Sequence, residues 1–314
     1  MLNDLVNRSR PLPPGSKLLI LGGGFSGSTL ARLLRAQGTP VLCTRRNPEP
    51  GSTDLSFDSD KPNQRPTPED LDGTTHLLST IPPSRDGLEP VLTTLLPMLR
   101  DLRLRWVGYL STTGVYGDRG GDWVSEEEPA TPGQDRSRRR LACEDAWRQT
   151  DLPVQILRLP GIYGPNRSVI NGLQQGRARM IHKAGQVFCR IHVEDIAGAC
   201  LHLIHKAEAG TRPPIVNVSD DCPAPSEELL KFAAELIGME PPPVEAFENA
   251  SQGMSAMARS FWSENRRVSN RLLRNTLNYP LLHPDFRAGL RDCWQQDPLN
   301  PQREETRDLR STID

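Results

Sequence analysis

A glycine-rich stretch at residues 22–27, GGGFSG, constrains the fold of this chain more than any other feature. It directly follows a short apolar run, KLLIL, and opens a segment with apolar residues at the spacing of a helix. The GxGxxG spacing suits a dinucleotide, because Gly22 permits a tight turn, Gly24 lets the backbone approach a pyrophosphate, and Gly27 lets helix and strand pack closely. We therefore assign five residues to a cofactor site, the alternative being a purely structural turn: Gly22, Gly24, Phe25, Ser26 and Gly27.

Strand and helix patterns alternate along the rest of the chain. Further buried-strand candidates begin near residues 40, 75, 104, 153 and 214, with helical segments between them. This alternation predicts an α/β fold, a Rossmann doubly wound parallel sheet with a smaller C-terminal substrate lobe. The expected boundaries are 15–160 for the NAD(P)-binding domain, completed by 190–217, then 161–189 and 218–294 for the lobe and 295–314 for a polar tail.

Composition and motifs limit the partners of the chain. With 314 residues, 36% of them hydrophobic, it can bury a large core. A formal net charge of −1 counts against nucleic acid or an anionic membrane as partner. No apolar run is long enough to span a membrane and the N-terminus lacks a signal-peptide pattern, so we expect a cytoplasmic protein. The scattered cysteines and histidines include no CxxC and no HExxH, which predicts free thiols and no metal site.

The end of the second predicted strand carries basic residues. Thr44, Arg45 and Arg46 stand where an NAD-binding protein usually has Asp or Glu. A guanidinium suits a 2′-phosphate through its charge and its two-pronged hydrogen bonds. NADP(H) is therefore favoured over NAD(H), the alternative being that both arginines lie on a solvated loop.

A second loop is expected to face the cofactor. Residues 79–83, STIPP, follow the strand candidate at residue 75 and cross the crevice of the predicted sheet. Their prolines would stiffen a cofactor-facing loop or merely end the strand. We add three residues of this loop to the cofactor site: Thr80, Ile81 and Pro82.

With these residues in place, the chain resembles the extended short-chain dehydrogenase/reductase superfamily, in particular its epimerase/dehydratase-like branch, from about Lys17 to Leu290. Besides the glycine loop, the matching segments are LSTTGVYGD at 110–118, RLACE at 140–144, LRLPGIYGP at 157–165 and RIHVEDIA at 190–197. The resemblance implies a nicotinamide cofactor and a small-molecule substrate in a cleft formed by the C-terminal lobe. Extended members are often dimers, so a homodimer is one expectation.

The resemblance also locates catalytic positions. Thr112 lies four residues before Tyr116, where the family has a Ser or Thr that hydrogen-bonds a substrate oxygen; the alternative is a threonine that caps a strand end. Counting back from Glu144 puts Arg140 at the family's lysine position and Arg136 at its tyrosine position. Arginine stays protonated, so Arg136 can stabilise an oxyanion but is a poor proton donor or acceptor. Arg140 can hold the cofactor ribose, or it pairs with Glu144 on an exposed helix face.

Other departures from the family narrow the substrate. Sugar-nucleotide dehydratases place Asp and Glu where this chain has Thr113 and Gly114, so dehydration is disfavoured. Gly161 stands where epimerases often have an Asn, which weakens the case for a nucleotide-sugar. Arg266 and Arg267 could contact an anionic substrate, or they lie on a solvated basic helix face.

Three further residues have structural and functional alternatives. Tyr116 is the phenol nearest to Thr112 in sequence and could turn into the site, although a packing role is more usual. Asp195 is expected to support the start of a helix. We interpret His192 as a hydrogen-bonded structural residue near the crevice, a catalytic role being the alternative.

Together these observations predict an NADP(H)-binding oxidoreductase or epimerase-like protein that acts on a small metabolite without the family's tyrosine and lysine. An anionic substrate is an open alternative within that prediction. The rival hypothesis is a non-catalytic NADP(H)-binding sensor or scaffold. Loss of the tyrosine and lysine favours the rival, whereas retention of Thr112 favours the enzyme.

Overall fold

The computed structural model describes residues 2–301, in which strands and helices alternate. The strands are β1 (Leu18–Leu21), β2 (Val41–Arg45), β3 (Leu55–Ser56), β4 (His76–Ser79), β5 (Trp106–Thr112), β6 (Trp123–Val124), β7 (Val154–Leu159), β8 (Gly161–Tyr163), β9 (Met180–His182), β10 (Arg190–His192), β11 (Ile215–Asn217), β12 (Val244–Ala246) and β13 (Arg267–Val268). The α-helices are α1 (Leu2–Arg8), α2 (Phe25–Ala36), α3 (Pro68–Leu71), α4 (Pro90–Asp101), α5 (Asp135–Arg148), α6 (Val169–Gln174), α7 (Val193–Glu208), α8 (Ser226–Ile237), α9 (Phe247–Ala250), α10 (Ala256–Trp262) and α11 (Phe286–Gln296). Short 3₁₀ turns lie at Pro62–Gln64, Thr113–Tyr116 and Ser251–Gly253, and a π-helical turn lies at Leu272–Thr276.

Seven of these strands form one parallel sheet in the order β11-β7-β5-β4-β1-β2-β3. At its centre, Ile20 of β1 lies beside Cys43 of β2 on one side and Leu78 of β4 on the other. The chain adds strands first from β1 toward β3 and then from β4 toward β11, so the strand order reverses between β1 and β4. In a doubly wound sheet, such a reversal opens a crevice at the carboxyl ends of the strands. The predicted α/β fold with a doubly wound parallel sheet is confirmed.

Strand β1 shows why an uninterrupted apolar run forms the centre of this sheet. Leu18 and Ile20 pack into one buried layer with α2 and α7. Leu19 and Leu21 pack into a second layer with α4 and α5. Because successive side chains of a strand point to opposite faces, all four are buried beneath helices. Each contributes about 1.5–3 kcal/mol to stability by leaving water.

A third apolar cluster joins α6, α8 and α11, and it includes Ile170, Leu230 and Phe286. It lies within the segments that the sequence assigns to the substrate lobe, residues 161–189 and 218–294. Helix α11 continues past that boundary to Gln296. Most of the predicted polar tail, residues 302–314, lies outside the described residues.

Asp195, fully buried in the first turn of α7, connects α7 to the 279–283 segment. Its carboxylate accepts hydrogen bonds from the backbone N–H groups of Leu282 (2.7 Å) and His283 (2.8 Å) and from the Tyr279 hydroxyl (3.1 Å). The side chain thus lies at the start of a helix, as expected from the sequence, but it bonds a distant segment. Burial raises the pKa of this carboxyl even though three donors oppose the shift.

Among residues 2–301, no helix has both the length and the apolar character needed to cross a bilayer. All six cysteines lie in that range, and each is a free thiol. Burial raises the pKa of the Cys200 thiol to about 12 and that of the Cys43 thiol to about 11, so these groups stay protonated near neutral pH.

Candidate functional site

The glycine loop lies at the crevice between β1 and β4. Gly22 has a φ of +99°, and a Cβ there would lie 2.4 Å from the Thr80 hydroxyl, which donates to the Gly22 carbonyl at 2.6 Å. A Cβ at position 27 would lie 2.4 Å from that same carbonyl oxygen. Both glycines are therefore required for packing, and Thr80 holds the turn from the neighbouring strand.

Gly24 has a different environment. It is the N-cap of α2, and a Cβ at this position would meet no atom within 4 Å. A glycine has no side chain with which to cap the first N–H groups of the helix, so those of Phe25 and Ser26 face open space at the positive end of α2. This cradle fits a dinucleotide pyrophosphate, because the backbone approach is clear and the donors are aligned.

The end of β2 divides into a buried and an exposed part. Thr44 is buried, and its hydroxyl and carbonyl oxygens accept the N–H groups of Gly22 (3.1 Å) and Gly23 (2.7 Å). Arg45 Nε donates to Asp54 Oδ2 at 2.6 Å. Asp54 is an acid that the sequence analysis missed, because it lies nine residues after the strand end rather than at it. Thr44 therefore shapes the loop, and Arg45 is partly neutralised.

Arg46 follows Arg45 and is exposed. Within residues 2–301, its side chain forms no ion pair. Asp54 also lies 3.7 Å from Arg35, so one carboxylate faces two guanidinium groups and Arg46 remains unmatched. The edge of the crevice at β2 is thus net positive.

Arg140 lies across the carboxyl ends of β4 and β5. Its Nη1 donates to the Tyr109 hydroxyl at 3.0 Å and to the carbonyl oxygens of Ile81 and Leu110, each at 3.3 Å. The side chain therefore points at the predicted cofactor loop, and Pro82 of that loop is exposed at the cavity described below. This position suits a residue that holds the cofactor ribose.

The alternative prediction, an exposed pair between Arg140 and Glu144, is wrong. Glu144 is fully buried, and its carboxylate accepts from Arg158 Nη2 at 2.7 Å and from the Ser111 hydroxyl. Helix α5 packs this face against β5 and β7, so a spacing rule that describes exposed helices does not apply there. Arg158, a residue of β7, is the true partner.

Thr112 ends β5, and its hydroxyl oxygen accepts the N–H of Gly114 at 3.1 Å. It therefore caps the 3₁₀ turn at Thr113–Tyr116, a structural role that differs from the predicted alternative of capping the strand end itself. The side chain is only half-buried and lines a cavity of about 850 Å³. Capping and ligand contact are compatible, because the hydroxyl uses an acceptor site for Gly114 and keeps its hydrogen to donate.

This cavity lies between the carboxyl edge of the sheet and residues of helices α8 and α10. Arg136 lines it with its guanidinium 4.2 Å from the centre of the Phe261 ring on α10. Six arginines in all contribute to the lining: Arg136, Arg139, Arg140, Arg167, Arg190 and Arg266. Among the described residues, the first five of these form no ion pair. The cavity therefore has a strong positive field.

Among the described residues that line this cavity, Glu264 is the one carboxylate. Its Oε2 accepts from Arg266 Nη1 at 2.7 Å. Its other oxygen, Oε1, is buried and has no hydrogen-bond partner within the described part of the chain. Of the two arginines predicted to contact a substrate, Arg266 lines the cavity, whereas Arg267 instead donates to the Gly121 carbonyl.

Several lining residues were missed by the sequence analysis. Arg167 lies with its guanidinium 5.3 Å from the Phe25 ring and so connects the glycine loop with the cavity. Arg190 is buried and donates to the carbonyl oxygens of Phe188 (2.8 Å) and Ala224 (3.1 Å). The sequence signals nearest to these arginines were two segments of the family resemblance. LRLPGIYGP ends two residues before Arg167, and RIHVEDIA begins with Arg190.

None of the four tyrosines, all within the described residues, lines this cavity. Tyr116 is fully buried, donates to Asn217 Oδ1 at 2.8 Å, and lies 4.7 Å beneath the Arg158 guanidinium. Burial raises its pKa. It packs the site from behind, which agrees with the structural alternative and leaves no phenol to replace the family's tyrosine.

Within residues 2–301, a buried cluster of His192, Glu194, His283 and Asp292 has its ligand-type atoms within 4.8 Å of one another and could hold a metal ion. His192 Nδ1 accepts the N–H of Glu194 at 3.3 Å, so Nε2 carries the proton of the neutral ring and faces Asp292 at 3.6 Å. A metal on Nε2 would move that proton to Nδ1 and break the bond to Glu194. His283 Nε2 lies 3.1 Å from Glu194 Oε2. We therefore describe the cluster as a buried polar contact in which His283 is hydrogen-bonded to the first turn of α7 and Asp292 of α11 lies beside His192.

A protein-family model matches the middle of this chain. The model of the NAD dependent epimerase/dehydratase family matches residues 90–219. A search of curated proteins gave no match.

Solved structures match almost the whole chain. A functionally unknown conserved protein from Silicibacter pomeroyi is 40% identical, covers 88% of this chain and 98% of its own, and superposes with a TM-score of 0.80. A candidate NAD-dependent epimerase/dehydratase from Methylobacillus flagellatus is 28% identical over 87% of this chain and 96% of its own, with a TM-score of 0.68. The human epimerase family protein SDR39U1, solved with NADPH, is 17% identical over 88% of this chain and 98% of its own and shares the fold, with a TM-score of 0.68.

Proposed function

The chain belongs to the NAD-dependent epimerase/dehydratase family, within the extended short-chain dehydrogenase/reductases, and from that premise we propose that it is an NADP(H)-dependent oxidoreductase of a small anionic metabolite. One observation carries the proposal. The cavity beside the glycine loop is lined by Thr112 and by five arginines that form no ion pair within residues 2–301. Unmatched guanidinium groups around a cavity favour an anion there, because the anion relieves their mutual repulsion.

The chain's own residues suggest how a reacting oxygen is treated. When bound, the nicotinamide would supply or accept a hydride. Thr112 retains a hydrogen to donate to the substrate oxygen, and Arg136 and Arg140 add positive charge to the lining of the same cavity. Since no tyrosine lines the cavity, the residues present bind and orient the oxygen but offer no phenol for proton exchange.

The preference for NADP(H) is supported by the edge of the crevice at β2. Arg46 is exposed and unmatched among the described residues, and Arg45 shares Asp54 with Arg35. The net positive charge favours a 2′-phosphate over a ribose hydroxyl. NADPH is also the ligand named with the human structure that shares the fold.

A paired substitution tests this preference. Arg45→Glu combined with Arg46→Glu is expected to weaken NADPH binding about 100-fold and NADH binding about twofold, because two charge-assisted contacts to the 2′-phosphate are lost. Fluorescence titration of both cofactors measures the effect. Arg103→Glu, an exposed arginine before β5 at the opposite edge of the sheet, is the control. Equal losses for the two cofactors would contradict recognition of the 2′-phosphate.

Turnover separates the enzyme from the alternative, a non-catalytic NADP(H)-binding sensor. The missing tyrosine is the observation that favours the sensor. The experiment loads the protein with NADPH deuterated at the transferable position, adds a metabolite extract, and follows the label by mass spectrometry. We expect label in an anionic product that depends on the protein. Tight NADPH binding without transfer, repeated with several extracts, would favour the sensor.

A further inference from the structure

Ser137 places a hydroxyl in the cavity that the proposed function does not use. The residue is only 3% exposed, yet it contributes to the cavity lining from the first turn of α5. Within residues 2–301, its Oγ forms no hydrogen bond. Its hydrogen and its lone pairs are therefore available to a ligand or to water in the cavity.

The Ser137 and Thr112 hydroxyls both lie close to Gly114. A Cβ built at position 114 would lie 2.7 Å from Ser137 Oγ and 3.3 Å from Thr112 Oγ1. The two hydroxyls therefore lie close together on one side of Gly114, and a side chain at position 114 would collide with Ser137 Oγ. Thr112 accepts the Gly114 N–H and still has a hydrogen to donate.

Arg136, next to Ser137 in sequence, leaves this position free. Its guanidinium packs on the Phe261 ring of α10 at 4.2 Å. The residue at the family's tyrosine position thus does not occupy the space beside Thr112. The hydroxyl nearest to that space is supplied by the following residue, Ser137.

We infer that Ser137 and Thr112 form a hydroxyl pair that binds the carbonyl or hydroxyl oxygen of the substrate, with Ser137 as a positioning residue. A carbonyl oxygen has two lone pairs and accepts one hydrogen bond from each hydroxyl. This inference rests on the proposed function, since it assumes that the cavity takes the substrate. It assigns no proton transfer to either residue.

The test compares two ligands that differ at the inferred contact. The full chain is loaded with NADP⁺ and titrated by calorimetry with pyruvate, which has a carboxylate and a ketone oxygen, and with propionate, which has only the carboxylate. Wild type is expected to bind pyruvate more tightly. Ser137→Ala is expected to weaken pyruvate binding about fivefold, as for loss of one hydrogen bond, and to change propionate binding less than twofold.

The control removes another unpartnered hydroxyl. Thr74 is 2% exposed, its Oγ1 has no partner within residues 2–301, and it precedes β4 at the edge opposite the crevice. Thr74→Val is expected to leave both ligands unaffected. If Ser137→Ala does not fold, Ser137→Cys keeps the shape with a weaker donor and is expected to weaken pyruvate binding alone.

Four results would distinguish failure of this inference from failure of the proposed function. Equal binding of pyruvate and propionate by wild type, or equal losses of both in Ser137→Ala, would overturn the hydroxyl pair. Failure of wild type to bind NADP⁺ would overturn the proposed function instead. Selective loss of pyruvate that is also seen in Thr74→Val would show a general effect of lost hydroxyls and would likewise overturn the inference.

Discussion

The two ends of helix α5 differ in how their charges are matched. Toward its C-terminus, Glu144 is fully buried and bonded to Arg158 and Ser111. In its first turns, Arg136 and Arg140 line a cavity and have no acidic partner in the described chain. Arg136 packs on the Phe261 ring, and Arg140 donates to the neutral oxygens of Tyr109 and Ile81. One helix thus separates charge that fixes the fold from charge that remains available to a ligand.

The sharpest way to break this comparison is to remove the buried carboxylate. Glu144→Ala leaves the Arg158 guanidinium buried without its partner, and we expect a loss of about 3–5 kcal/mol in the free energy of unfolding. Urea denaturation measures it. Asp135→Ala removes the acid of the exposed pair with Arg138 at the other end of α5 and should leave stability unchanged. Similar losses of unfolding free energy in the two variants would mean that burial does not decide how much an ion pair of α5 contributes to stability.

Glu89 extends the comparison, because it is buried like Glu144 but forms no ion pair within residues 2–301. It is the N-cap of α4 and accepts the Leu92 N–H at 2.6 Å, yet burial raises its pKa to about 7 from an ordinary 4.5. The folded state holds this proton more tightly than the unfolded state does. Stability from this group is therefore fully present below pH 4.5 and is lost as the pH rises through 7.

We expect this loss to be about 2–3 kcal/mol between pH 4.5 and pH 7. Glu89→Gln cannot ionise, so urea denaturation at the two pH values should show a smaller pH dependence in the variant than in wild type. Other groups titrate equally in both proteins, and the difference between them isolates Glu89. An unchanged pH dependence would show that this carboxyl is ionised in the folded state at little cost.

Two substitutions in the glycine loop are expected to have the smallest effects on stability, but they distinguish packing from cofactor binding. Gly27→Ala forces a methyl group against the Gly22 carbonyl and should destabilise the ligand-free protein by about 1–3 kcal/mol. Gly24→Ala meets open space, so it should leave stability unchanged and weaken NADPH binding by blocking the close approach of the pyrophosphate. Thermal melts with and without NADPH distinguish the two. A stable Gly27→Ala protein with normal NADPH binding would contradict the packing argument.

The sequence predicted those features of the fold that depend on the spacing of residues close to one another in the chain. The parallel sheet and the glycine loop follow from apolar runs and from glycines at fixed intervals, which act within about thirty residues. The cavity could not be predicted in this way. Its lining joins Ser137, Arg167 and Glu264, which are far apart in the sequence and come together only in the folded chain. The alternative pair of Arg140 with Glu144 was wrong for the same reason, since tertiary burial gave Glu144 a partner from strand β7.

The six guanidinium groups of the cavity also have a consequence for how ligands compete in solution. A concave surface of one charge concentrates whatever small anions the medium contains. Chloride, sulfate or inorganic phosphate then occupies the places that the acidic groups of a metabolite need, and each ligand must displace them. Ionic strength weakens the same attraction by screening. Apparent affinity at this site is therefore a joint property of protein and buffer, and a phosphate-buffered assay will report a weaker ligand than one at low salt.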